Sequence, residues 1–284
     1  HTPFGIGLGG LRLARKQSVP LVASYHTPTS EYAAYLSVNG TVEKAVRRTA
    51  TTYERWFLNR ADAVIVPSAE TGRHVAEDVG VDSTVEIVPN GVDTDFFRPE
   101  AGDFRDRYDL PDGPLVGYTG RHGYEKRLPR IVDAVERIDR DVTVVFGGDG
   151  PAREDLEVQA AAADVDARFL GFLDRAELPA FYAALDVFAF PSPVETQGLV
   201  ALEANACGTP VAGVDAGALA DTITDGENGY SAHEGDTDAF RDVIARTLDE
   251  QDSLRETCLD RREEMSVDAA IDKLAAVYDR VLDS

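Results

Sequence analysis

Residues 186–215 read DVFAFPSPVETQGLVALEANACGTPVAGVD. An apolar run over Asp186–Pro191 ends in a loop with two prolines. A helical pattern begins after Gly198, and a second apolar run fills Pro210–Asp215. Two short apolar strands separated by a loop and a helix are the mark of a parallel sheet with a crossover helix. The same alternation extends outward. Pro114–Gly120, Val142–Gly147, Arg168–Phe172 and, more weakly, Gly229–Ser231 read as further strands, with helices over Leu128–Ile138 and Glu154–Ala163. Six strands make a complete doubly wound α/β domain.

Toward the N-terminus the strands thin out to Pro20–Tyr25, Ala61–Pro67 and Val85–Val88. The chain also opens at His1 rather than Met. The sequence therefore predicts an N-terminal domain that lacks its first strands. Asn90–Pro99, NGVDTDFFRP, reads as the linker, and the tail from Asp236 reads as successive amphipathic helices. The expected organisation is a partial domain over 1–98, a second domain over 99–265, and a C-terminal helix over 266–284 that returns toward the first. The 284 residues suffice for two such cores.

Hydrophobic residues make up 43% of the chain, and no apolar run is long enough to span a bilayer. The two cysteines, Cys207 and Cys258, form neither a disulfide framework nor a metal-ligand spacing. A reducing cytoplasm is the plain expectation. The net charge is −23, and only 4 of the 28 basic residues are Lys. Such a surplus of acid predicts a protein that stays hydrated in high salt, hence a halophilic source. No nucleic-acid partner is expected. The charge is uneven: residues 1–60 hold 8 basic and 3 acidic residues, and the remainder nets −28. An anionic partner near the basic end would explain the contrast.

The loop after Asp186–Pro191 carries Glu195, Thr196, Gln197 and Gly198, and Glu203 follows within the helix. In open parallel sheets ligands sit beyond the carboxyl ends of the strands, and free amides at a helix start bind phosphate. Gly198 lets a ligand approach the backbone, and the amides of Leu199 and Val200 can face a diphosphate. Glu195 would then reach a sugar ring and Glu203 a ribose. Read blandly, Glu195 is a solvated loop acid and Glu203 a surface residue. For Glu203 the bland reading is weak, because Leu199, Leu202 and Ala206 mark a packed face and an unpartnered buried acid is costly.

Residues 118–126 read YTGRHGYEK. The strand Pro114–Gly120 ends in Gly120, so Arg121 emerges at the same sheet edge as Glu195, and Lys126 follows after a short loop. Two cations there can neutralise a leaving diphosphate, whose charge grows as the glycosidic bond breaks. Alone, each is an ordinary surface charge, with Glu125 available to pair one of them. Together with the two glutamates they favour a site.

This order of motifs resembles glycosyltransferase family 4: Gly-Arg and Glu-Lys in one loop, then Glu, seven residues and Glu, then Cys-Gly-Thr-Pro-Val. Asn90–Val92 and ADAVIVPS at Ala61–Ser68 add to the resemblance, which covers nearly the whole chain. The resemblance implies the GT-B fold, two facing Rossmann-like domains. It implies that Arg121 and Lys126 hold the donor diphosphate, that Glu195 contacts the donor sugar, and that Glu203 contacts the ribose. Gly148–Pro151, including Gly150, and Arg168–Leu173, including Phe172 and Leu173, would border the base. It implies no catalytic metal and no cofactor beyond the nucleotide-sugar substrate. One departure concerns the donor sugar: many members carry an aromatic before the Gly of the glutamate motif, where this chain has Gln197.

Residues 23–35 read ASYHTPTSEYAAY. The strand delivers His26 to a sheet edge, and in the family a His at this kind of place faces the reacting sugar. A lone His is more often structural. The Tyr-rich run after it most resembles members that glycosylate lipids. In Val42–Arg60, an apolar stripe of Val42, Val46, Thr49, Tyr53, Trp56 and Phe57 lies beside Lys44, Arg47, Arg48 and Arg55. The stripe suits packing on a sheet, and the cations suit an anionic membrane surface.

Three patterns are set aside. Gly5–Gly10 matches a dinucleotide fingerprint but follows no strand. Asp93-Thr94-Asp95 mimics a metal-binding pair of acids but falls in the linker. Glu195 and Glu203 have no water-activating arrangement of the glycosidase kind. The expected activity is retaining, metal-independent transfer of a hexose-type sugar from a UDP- or GDP-sugar to an acceptor hydroxyl. A glycolipid is the favoured acceptor, ahead of a polyprenyl-linked or soluble one. The expected location is the cytoplasm, peripheral on the inner membrane face. Two rivals share the binding site: a nucleotide-sugar-binding protein without transfer activity, and a GT-B epimerase.

Overall fold

The computed structural model describes residues 5–26 and 40–283. Two compact units form, one from His1–Asn90 with Ala270–Ser284 and the other from Gly91–Ala269.

In the first unit, helix α1 (Gly5–Gln17) precedes strand β1 (Val22–Ser24), and helix α2 (Gly40–Leu58) leads to β2 (Ala63–Val66). Helix α3 (Ala69–Arg73) runs on through a widened turn at His74–Val79 into β3 (Thr84–Ile87). Ser68 caps α3 by accepting the Thr71 amide on its side chain. The strands pair in parallel in the order β1-β2-β3. Parallel strands are normally covered on both faces, so their inner members are apolar throughout. Val64 and Val66 pack with Leu11, Phe57, Leu58, Val75 and Val79. Ala63, Ile65 and Val88 pack with Val277 of the C-terminal helix. The glycine-rich start of the chain is therefore the entry to α1, and the Tyr25–Val88 positions close a small two-sided core.

The second unit holds six parallel strands: β4 (Leu115–Thr119), β5 (Thr143–Gly147), β6 (Ala167–Gly171), β7 (Val187–Phe190), β8 (Val211–Asp215) and β9 (Gly229–His233). Their order is β6-β5-β4-β7-β8-β9. All six strands read from the sequence are present: four are trimmed by one residue at one or both ends, β6 begins and ends one residue earlier, and β9 runs two residues further, to His233. β4, β5 and β7 are buried along their whole length, as central parallel strands must be. Gly117 is required here for close approach: a Cβ on it would lie 2.3 Å from Leu185 Cδ1.

A short helix α4 (Phe104–Arg107) precedes β4; the crossovers are α5 (Pro129–Val135), α6 (Arg153–Ala162), α7 (Leu178–Ala184), α8 (Leu199–Ala206) and α9 (Leu219–Thr222), followed by α10 (Thr237–Asp249) and α11 (Gln251–Asp260). Their apolar faces supply Ile131, Leu156, Phe181, Tyr182, Ala201, Phe240 and Ile244 to one core with the strands. Asn90–Pro99 is not a free tether: Val92 bridges Ser266, and the Asp93 carboxylate accepts the Phe96 amide. The two cysteines are free and buried, and burial pushes both thiols up to about 12. Among the described residues no helix is long and apolar enough to cross a membrane.

Candidate functional site

The chain runs from β4 outward to β5 and β6, then returns to lay β7 on the other side of β4. Between β4 and β7 the connections diverge, which opens a crevice at the carboxyl ends of these two strands. Arg121 and Lys126 follow β4, and Glu195 follows β7, so all three belong to that crevice.

Lys126 and Glu195 meet there. The Lys126 Nζ donates to Glu195 Oε1 at 2.6 Å, with side chains only 21% and 14% exposed. The Glu195 loop is anchored from the neighbouring crossover. Its carbonyl accepts the Ala218 amide at 3.0 Å, and the Thr222 hydroxyl donates to the Gln197 carbonyl at 2.9 Å. Gly198 turns the chain into α8 with φ +70, and a Cβ there would lie 2.8 Å from Leu219 Cδ2. The first amides of α8, at Leu199 and Val200, lie at a helix start, where intrahelical acceptors are lacking. Thr196 is half-buried and Gln197 buried in the same loop.

Arg121 stands apart from the pair. Its side chain is 58% exposed and makes only a 3.5 Å contact with Glu125. A solvated guanidinium of this kind contributes little to the fold. It is free to turn toward an anion. Lys126 is held, and Arg121 is not.

Glu203 lies within α8 and accepts the Tyr182 hydroxyl at 2.8 Å. Burial raises its pKa, partly offset by the Tyr182 hydrogen bond and the nearby Arg175. Its partner is thus a core tyrosine that sequence reading passed over. Leu199 corrects one expectation: it is 41% exposed at the first turn of α8, so Leu202 and Ala206 mark the packed face without it.

The glycines form a ledge beside the crevice. The Gly120 amide donates to the Gly147 carbonyl, and the Gly148 amide to the Gly171 carbonyl at 2.6 Å. Gly148 has φ +102, and a Cβ on it would sit 2.0 Å from the Gly120 carbonyl oxygen. The backbones touch, so only glycine fits. At Gly150 a Cβ would lie 2.6 Å from the His122 carbonyl oxygen. Phe172, just past β6, is 82% exposed, while the adjacent Leu173 is buried. A bare aromatic beside a ledge of glycine backbone is a surface on which a planar ring can stack.

Two residues, Tyr118 near the end of β4 and His122 in the loop after it, escaped the sequence reading. His122 is fully buried, with Nε2 3.2 Å from the Gly147 carbonyl and Nδ1 without a hydrogen-bond partner. Burial lowers its pKa, and its carbonyl partner requires the proton on Nε2. Tyr118 lies under the crevice, its hydroxyl 3.4 Å from the Arg121 carbonyl. Burial, then the charges of Glu195 and Glu125, drive its pKa far up. Both fall within the 118–126 stretch, but nothing in that stretch marks either side chain for burial.

His26 follows β1 in the first unit, half-buried, and burial lowers its pKa. The Tyr-rich run at 31–35 lies outside the described residues. Among the described residues no group of three His, Cys, Asp or Glu side chains is placed to hold a metal ion.

A family model described as Glycosyl transferases group 1 matches residues 102–265, and one described as Glycosyltransferase Family 4 matches residues 1–96. The chain is 34% identical to the 2-deoxystreptamine glucosyltransferase of Streptomyces kanamyceticus, over 97% of this chain and 74% of that protein. It is 31% identical to the alpha-monoglucosyldiacylglycerol synthase of Streptococcus pneumoniae, over 74% of this chain and 50% of that protein. Among solved structures, the sucrose-phosphate synthase of Thermosynechococcus elongatus superposes with a TM-score of 0.79 at 27% identity, covering 97% of this chain and 71% of that one. The chain thus spans half to three-quarters of the length of these relatives. With its parallel α/β sheets, its motif order and these matches, the chain belongs to the glycosyl transferases group 1 family and has the GT-B fold.

Proposed function

We propose that this protein is a retaining glycosyltransferase that moves a hexose-type sugar from a UDP- or GDP-sugar to an acceptor hydroxyl. The observation that carries the reading is the convergence of Lys126 and Glu195 at 2.6 Å where the strand order reverses. In this reading the α8 amides, Lys126 and Arg121 receive the diphosphate. Glu195 takes the hydroxyls of the donor sugar, Glu203 the ribose and Phe172 the base. His26 is assigned to the reacting sugar.

The bond from the anomeric carbon to the phosphate oxygen breaks, and a bond to the acceptor oxygen forms on the same face. The acceptor proton passes to the departing phosphate. Such a step needs no strong protein nucleophile and no metal, only fixed positive charge where negative charge grows. In this reading Arg121 and Lys126 supply that charge.

A glycolipid is the favoured acceptor. The name of the streptococcal relative, a glucosyldiacylglycerol synthase, and the basic residues of α2 support it. The streptomycete relative, whose name gives 2-deoxystreptamine, supports the runner-up. The protein would then work in the cytoplasm, peripheral on the inner membrane face. The test is a screen of UDP- and GDP-sugars against membrane extracts and soluble polyols in high salt, with the anomeric configuration of the product read by NMR. An inverted product, nucleotide-sugar binding without transfer, or an epimerised sugar with no acceptor present would each overturn the reading.

A further inference from the structure

On this acid-rich protein most guanidinium groups of the second unit sit against a carboxylate, as Arg105, Arg127, Arg137, Arg140 and Arg261 do. Helix α2 of the first unit breaks that pattern. Lys44, Arg48, Thr51 or Thr52, and Arg55 recur at the spacing that stacks side chains along one helix face, and Arg47 flanks them. Among the described residues no ion pair engages Lys44, Arg48 or Arg55. Like charges one turn apart repel, so the arrangement is uphill until an anion joins it.

These side chains do not lie on a flat surface. Lys44, Arg47, Arg48, Thr51, Thr52 and Arg55 line a cleft of about 440 Å³, closed on the other side by Asp78 and Val79 of the widened turn after α3. Arg55 lies against Gly80, where a Cβ would be 3.2 Å from its Cζ. Asp78, the acid of the lining, is engaged by His74 Nδ1 at 2.8 Å. The Thr51 and Thr52 hydroxyls donate back to the carbonyls of Arg47 and Arg48. Recognition in this cleft therefore rests on the cations. A concave cationic site focuses its field on a bound anion, and planar guanidiniums suit a tetrahedral oxyanion with several acceptor oxygens. One carboxylate offers a single negative charge to Lys44, Arg48 and Arg55, whereas a phosphate monoester offers nearly two.

We propose that the cleft between α2 and the His74–Val79 turn is a binding site for a phosphate-bearing ligand, distinct from the β4–β7 crevice. The volume suits one phosphate with the small group it carries. A free phosphorylated molecule and a phospholipid headgroup share this chemistry, and the experiment separates them.

Inorganic phosphate is titrated into the protein by calorimetry at constant ionic strength, and in parallel the protein is sedimented with phosphatidylglycerol or phosphatidylcholine vesicles. Arg48→Gln/Arg55→Gln, with the two single variants beside it, removes cations from exposed helix positions while keeping a good helix former. Thermal midpoints check that each remains folded. Phosphate binding that weakens about tenfold or more in the double variant, and persists in Lys126→Ala, supports the site with a soluble ligand. Binding seen only with phosphatidylglycerol vesicles, and lost in the double variant, supports it with a headgroup ligand. The proposal falls if wild type binds neither, if the folded variants bind both as wild type does, or if Lys126→Ala alone abolishes phosphate binding. UDP binding at the crevice, unaffected by Arg48 and Arg55, keeps the fate of this site separate from that of the proposed transfer activity.

Discussion

Lys126 and Glu195 lie 69 residues apart in the chain and join at 2.6 Å across the point where the sheet changes direction. The pair satisfies an acid that is mostly shielded from water, and it fixes the ammonium in the crevice before any ligand arrives. A diphosphate carries more charge than the carboxylate and can draw the ammonium toward itself.

Removing the lysine therefore has two separable effects. Lys126→Ala leaves Glu195 unpaired in a half-buried place and should cost about 1–3 kcal/mol of stability, less than a fully buried pair would. It should also lower kcat about 100- to 1000-fold if the ammonium stabilises the leaving group. Adding Glu195→Gln should restore most of the stability and none of the turnover. A double variant that regains wild-type kcat would show that the ammonium serves only to neutralise Glu195.

Glu203 gives a test in pH. Its folded pKa is raised above 4.5, chiefly by burial, so between 4.5 and that higher value the folded state holds more protons than the unfolded one. Stability from this group is then greatest at low pH and declines as pH rises through that window. Glu203→Gln can still accept the Tyr182 hydroxyl and lacks the ionisation. Denaturant midpoints of the variant should gain on wild type as pH climbs from about 4 to 7. Parallel wild-type and variant curves would remove burial as the dominant influence on this carboxyl.

The fold and the crevice differ in how far the sequence exposed them. Five apolar runs rich in Val, Leu, Phe and Ala name strands of the second unit, because central parallel strands cannot alternate, and Gly229–Ser231 marks the sixth more weakly. Arg121, Lys126 and Glu195 were legible because each follows such a run, and strand ends in parallel sheets share one edge. Their partners were not. Nothing in the chain distinguishes Tyr182 as the donor to Glu203, since the two meet through packing of α7 on α8. His122 sits inside a loop motif and yet is fully buried, because the loops after β4 and β5 close over it. The basic cleft shows the same limit: helical spacing put Lys44, Arg48 and Arg55 on one face, while Asp78 and Val79 reached it only by folding.

Backbone contact at the ledge predicts an asymmetry between two glycines of similar handedness. Gly148→Ala forces a Cβ to within 2.0 Å of the Gly120 carbonyl oxygen, whereas Gly102, with φ +56, has nothing within 4 Å of its added Cβ. Gly102→Ala should cost about 1 kcal/mol, the conformational penalty alone. Gly148→Ala should cost about 3 kcal/mol or more, because the β4 and β5 loops must separate. Chemical denaturation of both variants measures the difference. Equal costs would mean that the ledge yields readily and does not fix the crevice.

His122 supplies the opposite pH limb from Glu203. Burial holds its folded pKa below 6.5, so as pH falls the unfolded state takes up the proton first. Its contribution is complete above about 6.5 and is lost as pH falls from there toward the folded pKa, at up to about 1.4 kcal/mol per pH unit. His26, also lowered by burial, acts in the same direction, and the many carboxylates shape the profile further. The difference between wild type and His122→Asn isolates the one group. Asparagine can still donate to the Gly147 carbonyl and does not titrate, so the variant should lose less stability than wild type between pH 7 and 5. Denaturant midpoints taken at both pH values decide it. An unchanged acid limb would mean that His122 is protonated with little cost, and that its buried Nδ1 finds a partner on protonation.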